Sequence, residues 1–288
     1  MPNEKQLSFT LPWADGDNNN SETACDAESE RSQYYKIQIL RMNYQSIHHG
    51  IANSLQPFEP ALYVEDRPGR FDISLLIETT LAVIVVISAI KVITASSALG
   101  AGWLITPCIL IFAAFIPTAV KKRKFPGFGF NIRQMKDSLI VLGWTCVVLF
   151  PLTLCGLWVL KSYELKPPLL PVLSQRQDWV YWLFYQFLYI ALSEEVFFRG
   201  YVQSNILRLT TPVMGKLPRL QQWTSIVISA ACFTIAHIIT QGQILSALIF
   251  LPGLVLGWLF IRTRSLLTPI LFHGLANAWY LVMAIVLT

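Results

Sequence analysis

Residues 73–94, ISLLIETTLAVIVVISAIKVIT, carry only two charges, Glu78 and Lys91, in a stretch that is otherwise apolar or small and hydroxylated. A hydrocarbon core about 30 Å thick is crossed by about 20 apolar residues of helix, so this stretch is long enough to span a bilayer. The rest of the chain has the same character. Of its 288 residues 54% are hydrophobic and 14% charged, where a soluble protein has about a quarter of its residues charged. Six further windows of similar length lie near 99–120, 138–160, 179–207, 223–239, 244–261 and 266–287. The expected fold is therefore all-α: a polytopic transmembrane helix bundle of seven spans. Glu78 and Lys91 are expected to sit near an interface or to snorkel towards one.

Residues 1–70 differ in kind. LPWADGDNNNSETACDAESERSQ is acidic, rich in Asn and Ser and poor in aliphatics, which predicts a solvated, disordered tail. It has no apolar signal-peptide core. Tyr34–Ile47 alternates weakly and is given no role, and His48 and His49 belong to the solvated tail. The expected organisation is a polar cytoplasmic tail at 1–70, N-terminal transmembrane helices at 71–178 and a four-helix core at 179–288. Cys25, Cys108, Cys146, Cys155 and Cys232 form no CxxC pair and read as small apolar residues rather than disulfides or metal ligands.

The segment KKRKFPGFGFNIRQMK (121–136) holds six basic residues and no acid, and such loops mark the cytoplasmic side. Arg208, Lys216 and Arg219, then Arg262 and Arg264, fall on the same side when the spans alternate. SALGAG (97–102) and TQGQ (240–243), on the other side, have no charge at all. The N-terminus is thus expected in the cytoplasm, in a multi-pass protein of the cell's inner or plasma membrane. The net charge of +5 is accounted for by these loops, so nucleic acid is not an expected partner. No internal repeat supports an inverted-repeat transporter.

Charges within spans are costly, about 2.5–3.5 kcal/mol each near the centre of a bilayer on insertion scales. ALSEEVFFRG (191–200) nevertheless holds three. Residues four apart share a helix face, so Glu195 and Arg199 meet as a pair with the acid in the favourable N-terminal position. Glu194 has Phe198 four residues on and no partner in its own helix. An unpaired carboxylate in a medium of low dielectric can serve as a general base; packing of all three charges at a helix interface is the other reading. His237, one turn after Phe233, and the His273 and Asn277 pair add polar side chains to two further spans. At 1.5 Å per residue Glu194 lies about 22 Å from the outer start of its span, His273 about 10 Å and His237 about 21 Å from the inner starts of theirs. These depths converge in the middle to cytoplasmic half of the membrane.

Glu194-Glu195-x-x-x-Arg199, Phe233-x-x-x-His237 and His273-x-x-x-Asn277, in that order, resemble the motifs of the CPBP intramembrane protease family. That family includes type II CAAX prenyl proteases and bacteriocin-processing or lysostaphin-resistance-like proteins. The resemblance covers residues 179–288, including GLVLGWLFIRTRSLLTPILFHGLAN (253–277). It implies an intramembrane endopeptidase in which Glu194 activates water with help from His237, Glu195 and Arg199 orient the site beside Phe233, and His273 with Asn277 holds the oxyanion. The substrate would be a membrane-embedded or lipidated protein or peptide. Family members are described both as metal-dependent and as glutamate-dependent, and no cofactor is expected here; zinc, if used, would take Glu194, His237 and His273. Two readings from other classes remain at this point, a non-catalytic membrane immunity or scaffold protein and a proton-coupled transporter.

Overall fold

The computed structural model describes residues 71–95, 102–125, 132–163, 178–214 and 218–287; the tail at 1–70, with Cys25, Tyr34–Ile47, His48 and His49, lies outside them. Over its described residues each expected span is helical, and no strand occurs among them. Helix α1 is Ile73–Ala95, α2 is Gly102–Val120 and α3 is Ile132–Ser162. Helix α4 runs through residues 179–214, with two π-helical segments, Tyr185–Ala191 and Val196–Gln203, set among α-helical turns. Helix α5 is Pro218–Gln241; a 3₁₀ segment at Ile244–Ile249 leads into α6, Phe250–Thr263, and α7 is Leu267–Leu287.

The helix ends follow from local chemistry. The Leu75 N–H donates to Asp72 Oδ1 at 3.0 Å, satisfying one of the orphan donors of the first turn. Gly242, at φ +68, closes α5 through a bond from its N–H to the Ile238 carbonyl, a conformation that costs glycine little. Between α6 and α7 the chain turns within a few residues. The Arg264 N–H bonds the Phe260 carbonyl, and Ser265 Oγ accepts from the Leu267 N–H at 3.1 Å. Pro269 then falls in the first turn of α7, where a missing N–H is harmless. So short a connection makes α6 and α7 antiparallel neighbours.

Five segments are long and apolar enough to cross a membrane: Ile73–Ala95, Met135–Val159, Arg219–Gln241, Ser246–Thr263 and Leu267–Ala284. Helix α2 has a shorter apolar stretch, Ile105–Val120, and contains Pro107 and Pro117; α4 carries the charges of ALSEEVFFRG. Only 6% of the apolar window of α3 is buried inside the protein, against 50% for α7. Helix α3 therefore lies at the rim, with Trp144, Val147, Val148 and Leu152 exposed, an apolar face that suits lipid and not water. The chain is an integral membrane protein.

Helix α4 occupies the middle. Every residue from Val196 to Gln203 is buried, as required of a helix enclosed on all sides. One core joins it to α1, α2 and α5 through Val86, Leu110, Phe197, Phe198, Tyr201 and Phe233. A second joins α3, α6 and α7 through Leu142, Leu256, Leu259 and Phe272. Glu78 is not left to snorkel. Arg123, just beyond α2, grips it with NH1 on Oε1 at 2.6 Å and NH2 on Oε2 at 2.9 Å, and the Tyr201 hydroxyl donates to the same Oε1 at 3.0 Å. Asn205 then donates to Thr79 Oγ1, and Arg208 reaches both Asn205 Oδ1 and the Lys124 carbonyl. This polar ladder fastens α4 to α1 and to the end of α2.

Removing one member of a partly buried pair strands the other, at a cost of about 2–3 kcal/mol. Glu78→Ala is expected to lower the thermal unfolding midpoint of the detergent-purified protein clearly, and Glu78→Ala with Arg123→Ala to recover part of the loss. Equal midpoints for wild type and Glu78→Ala would show that the pair contributes nothing.

Candidate active site

The site forms where α4, α5, α6 and α7 meet. Close approach of α6 depends on Gly253 and Gly257, since a Cβ on Gly257 would lie 3.1 Å from both Gln203 Oε1 and Ile226. With no side chain in the way, the Gly253 carbonyl accepts from Arg199 NH2 at 3.2 Å and the Gly257 carbonyl from Gln203 Nε2 at 3.0 Å. Helix α5 is tied to α4 by Ser229 Oγ, which donates to the Phe198 carbonyl at 2.9 Å.

Glu195 and Arg199 pair as their spacing predicts, with NH1 to Oε1 at 3.0 Å and neither side chain exposed. The same Glu195 Oε1 accepts a second bond, from His273 Nδ1–H at 2.8 Å. Glu195 is thus the joint between Arg199 and His273. The face of Phe233 lies under the Arg199 guanidinium at 4.5 Å, a favourable place for a cation. The Phe233 ring also contacts Phe198 edge-on and approaches His237, their centroids 4.4 Å apart, with the His273 ring edge-on at 6.0 Å.

Glu194 points the other way. Its Oε2 lies 3.7 Å from His273 Nε2 and 3.9 Å from His237 Nε2. Those separations exceed a hydrogen bond but are short enough for a single water to bridge. Glu194 Oε2 is buried and has no hydrogen-bond partner among the described residues; Glu195 Oε2 and Arg199 Nε share that condition. His237 Nδ1 sits 2.9 Å from the Phe233 carbonyl. A carbonyl accepts only, so Nδ1 carries the hydrogen and, in the neutral ring, Nε2 offers a lone pair towards Glu194. His273 Nδ1 likewise carries hydrogen towards a carboxylate, and its Nε2 donates only in the imidazolium.

Asn277, one turn beyond His273, is turned towards α4: its Nδ2 donates to Gln186 Oε1 at 2.9 Å. Gln186 is a residue that the motifs do not include. It lies in the first π-helical segment, and α7 can press against that segment because residue 274 is glycine; a Cβ there would come within 2.4 Å of Phe187. The available sequence signal was a single amide in the apolar run WLFYQFLYI (182–190), eight residues before Glu194.

A cavity of about 360 Å³ opens onto Glu194 and His237. Phe198, Ile190 and Leu110 give it apolar walls, and Thr94, Thr106, Thr240 and Gln241 lie at its other end. The donors named for zinc have suitable chemistry. Glu194 Oε2 lies within 3.9 Å of both imidazole Nε2 atoms, although no group of three or more His, Cys, Asp or Glu side chains that could hold a metal ion is found among the described residues.

Residues 176–279 match the family model described as type II CAAX prenyl endopeptidase Rce1-like. No curated protein and no solved structure matches the chain. Glu194, Glu195, Arg199, Phe233, His237, His273 and Asn277 all fall inside the matched stretch, and α1, α2 and α3 fall outside it. Six of those seven side chains gather at one place, with Asn277 beside them on Gln186. The C-terminal part of this chain is thus similar to the type II CAAX prenyl endopeptidases, as its motifs suggest.

Proposed function

We propose that the chain is an intramembrane endopeptidase that hydrolyses a peptide bond of a membrane-associated protein or peptide by glutamate-activated water. The observation that carries this reading is the orphaned Glu194 Oε2, buried and aimed at two imidazole Nε2 atoms. A water lodged there donates one hydrogen to Glu194 and the other to the bare Nε2 of His237. Its oxygen attacks the scissile carbonyl carbon and Glu194 takes the proton, which then passes to the leaving amine as the C–N bond breaks. The oxyanion is stabilised by His273 as the imidazolium and by the second N–H of Asn277. Such preorganised donors supply several kcal/mol in a site that excludes water.

Glu195 does no bond-making in this scheme. Both bonds to its Oε1 are structural, one setting the His273 ring and the other balancing Arg199. The Phe233 carbonyl fixes the tautomer of His237 in a comparable way. Gln186 positions Asn277, holding one amide hydrogen so that the other is directed. The basic loops support a cytoplasmic N-terminus, and residues 71–175, which the family match does not reach, are the part free to set substrate preference.

Loss of a general base costs about 10²–10⁴-fold in rate. Glu194→Gln and His237→Ala are each expected to insert and fold yet to cleave at least 100-fold more slowly than wild type, scored as neo-termini in the membrane proteome of cells carrying each form. Retained cleavage by Glu194→Gln would remove the mechanism. A chelator is expected to leave the cleavage rate of the purified protein unchanged; loss of activity that zinc restores would replace the metal-free scheme.

Gln186→Leu is expected to lower kcat about tenfold, a fraction of the loss from removing an oxyanion donor outright, with KM little changed. In an Asn277→Ala background the same substitution should have no further effect. Additive losses would show that Gln186 does not act through Asn277.

A further inference from the structure

Tyr201 belongs to none of the motifs, yet a continuous row of rings joins it to the site. Its ring stacks on Phe197, four residues earlier in α4, with centroids 5.9 Å apart. Phe197 meets Phe198 edge-on at 5.1 Å, and Phe198 meets Phe233 edge-on at 5.0 Å. Phe233 in turn lies 4.4 Å from the ring of His237, whose Nε2 is turned towards Glu194. Tyr201, Phe197, Phe198 and Phe233 are all at most 3% exposed. In an interior packed as densely as an organic crystal, one ring cannot shift without displacing the next. Edge-to-face contacts add a preferred orientation to that packing.

The far end of the row is anchored from outside the matched stretch. The Tyr201 hydroxyl donates to Glu78 Oε1 at 3.0 Å, and Arg123 holds both oxygens of that carboxylate. Three of the rings ride on the π-helical segment Val196–Gln203, whose turns are wider than those of an α-helix. The phase of such a segment is set by ties from its neighbours, and on the α1 side the tie is the one at Tyr201. We propose that Tyr201, anchored by Glu78 and Arg123, is a positioning residue for the hydrolytic centre: through Phe197, Phe198 and Phe233 it sets the place of the His237 imidazole. Helix α1 and the end of α2 thereby act on a group that neither of them touches. Of the four rings only Phe198 also walls the cavity beside Glu194, so the other three act at one remove. The kinetic consequence rests on the hydrolase reading; the placement of the imidazole is measured without it.

The test uses the full chain purified in detergent. Tyr201→Leu removes the ring, and Tyr201→Phe keeps it but gives up the bond to Glu78. Asn205→Ala is the control: it breaks the neighbouring tie from α4 to Thr79 and carries no ring of the row. Diethyl pyrocarbonate acylates neutral imidazole, so its rate at His237 relative to His273, read by mass spectrometry, reports how firmly the His237 ring is held. Tyr201→Leu is expected to raise that ratio about threefold or more, as local loosening does, and Tyr201→Phe to raise it less. Asn205→Ala is expected to lower the thermal unfolding midpoint and leave the ratio unchanged. On a peptide spanning a Glu194-dependent neo-terminus, Tyr201→Leu is expected to lower kcat about tenfold with KM little changed, as a small misplacement of a reacting group does. In a Phe198→Leu background most of that loss should disappear. An unchanged ratio in Tyr201→Leu would overturn the inference, as would an equal rise in Asn205→Ala or additive losses with Phe198→Leu. If Tyr201→Leu does not fold, Tyr201→Phe decides, and a wild-type ratio there counts against the proposal. If Glu194→Gln cleaves normally while the ratio follows Tyr201, the hydrolase reading fails and the positioning of the imidazole stands.

Discussion

Burial of the Arg199 guanidinium is the constraint on which the site depends. A cation with no exposure must meet its partners inside the protein, because the cost of removing it from water is several kcal/mol. Here one partner comes from each neighbouring element: Glu195 within α4, the Gly253 carbonyl of α6 and the Phe233 face of α5. Helix α7 joins through His273 on the same Glu195 oxygen. Four helices are therefore registered against one another by a single charge. A well-packed apolar substitute could give as much stability; it could not also fix the orientation of an imidazole.

The helix that carries this charge is not regular. Its π-helical segments flank the short α-helical turn Leu192–Glu195 on both sides, and such segments tend to occur at functional sites. Their wider turns shift the phase of everything after them, which allows one helix to aim Gln186 at α7, Glu194 at the cavity and Tyr201 at α1. Ser229 bonds the Phe198 carbonyl from outside the helix, supporting α4 where its own ladder is altered. Irregular backbone at membrane depth is tolerated where protein surrounds it, and α4 is enclosed through this region.

The spans were legible in the sequence because length and apolarity are local properties. So was the Glu195–Arg199 pair, since spacing of four residues fixes its geometry within one helix. The Glu78–Arg123 pair was not, because its members are 45 residues apart and periodicity carries no information about which helix faces which. The partner of Asn277 was hidden for the same reason. Rise per residue placed Glu194, His237 and His273 at compatible depths, and the three do meet. It did not locate the cavity: the wall from Val86 to Thr94 comes from α1, a helix outside the motifs.

Why the two adjacent glutamates take different parts follows from helix geometry. Successive residues project about 100° apart, so one carboxylate faces the α6–α7 side and the other faces α5 and the cavity. On the first side donors are plentiful, and Oε1 of Glu195 is taken by Arg199 and His273. That oxygen is committed to two bonds that hold Arg199 and His273 in place. On the second side Glu194 meets only nitrogens held beyond bonding distance by their own ties to Phe233 and Glu195. Its Oε2 has no hydrogen bond among the described residues and faces the cavity, so a water bound there can reach it without breaking a tie that holds the site.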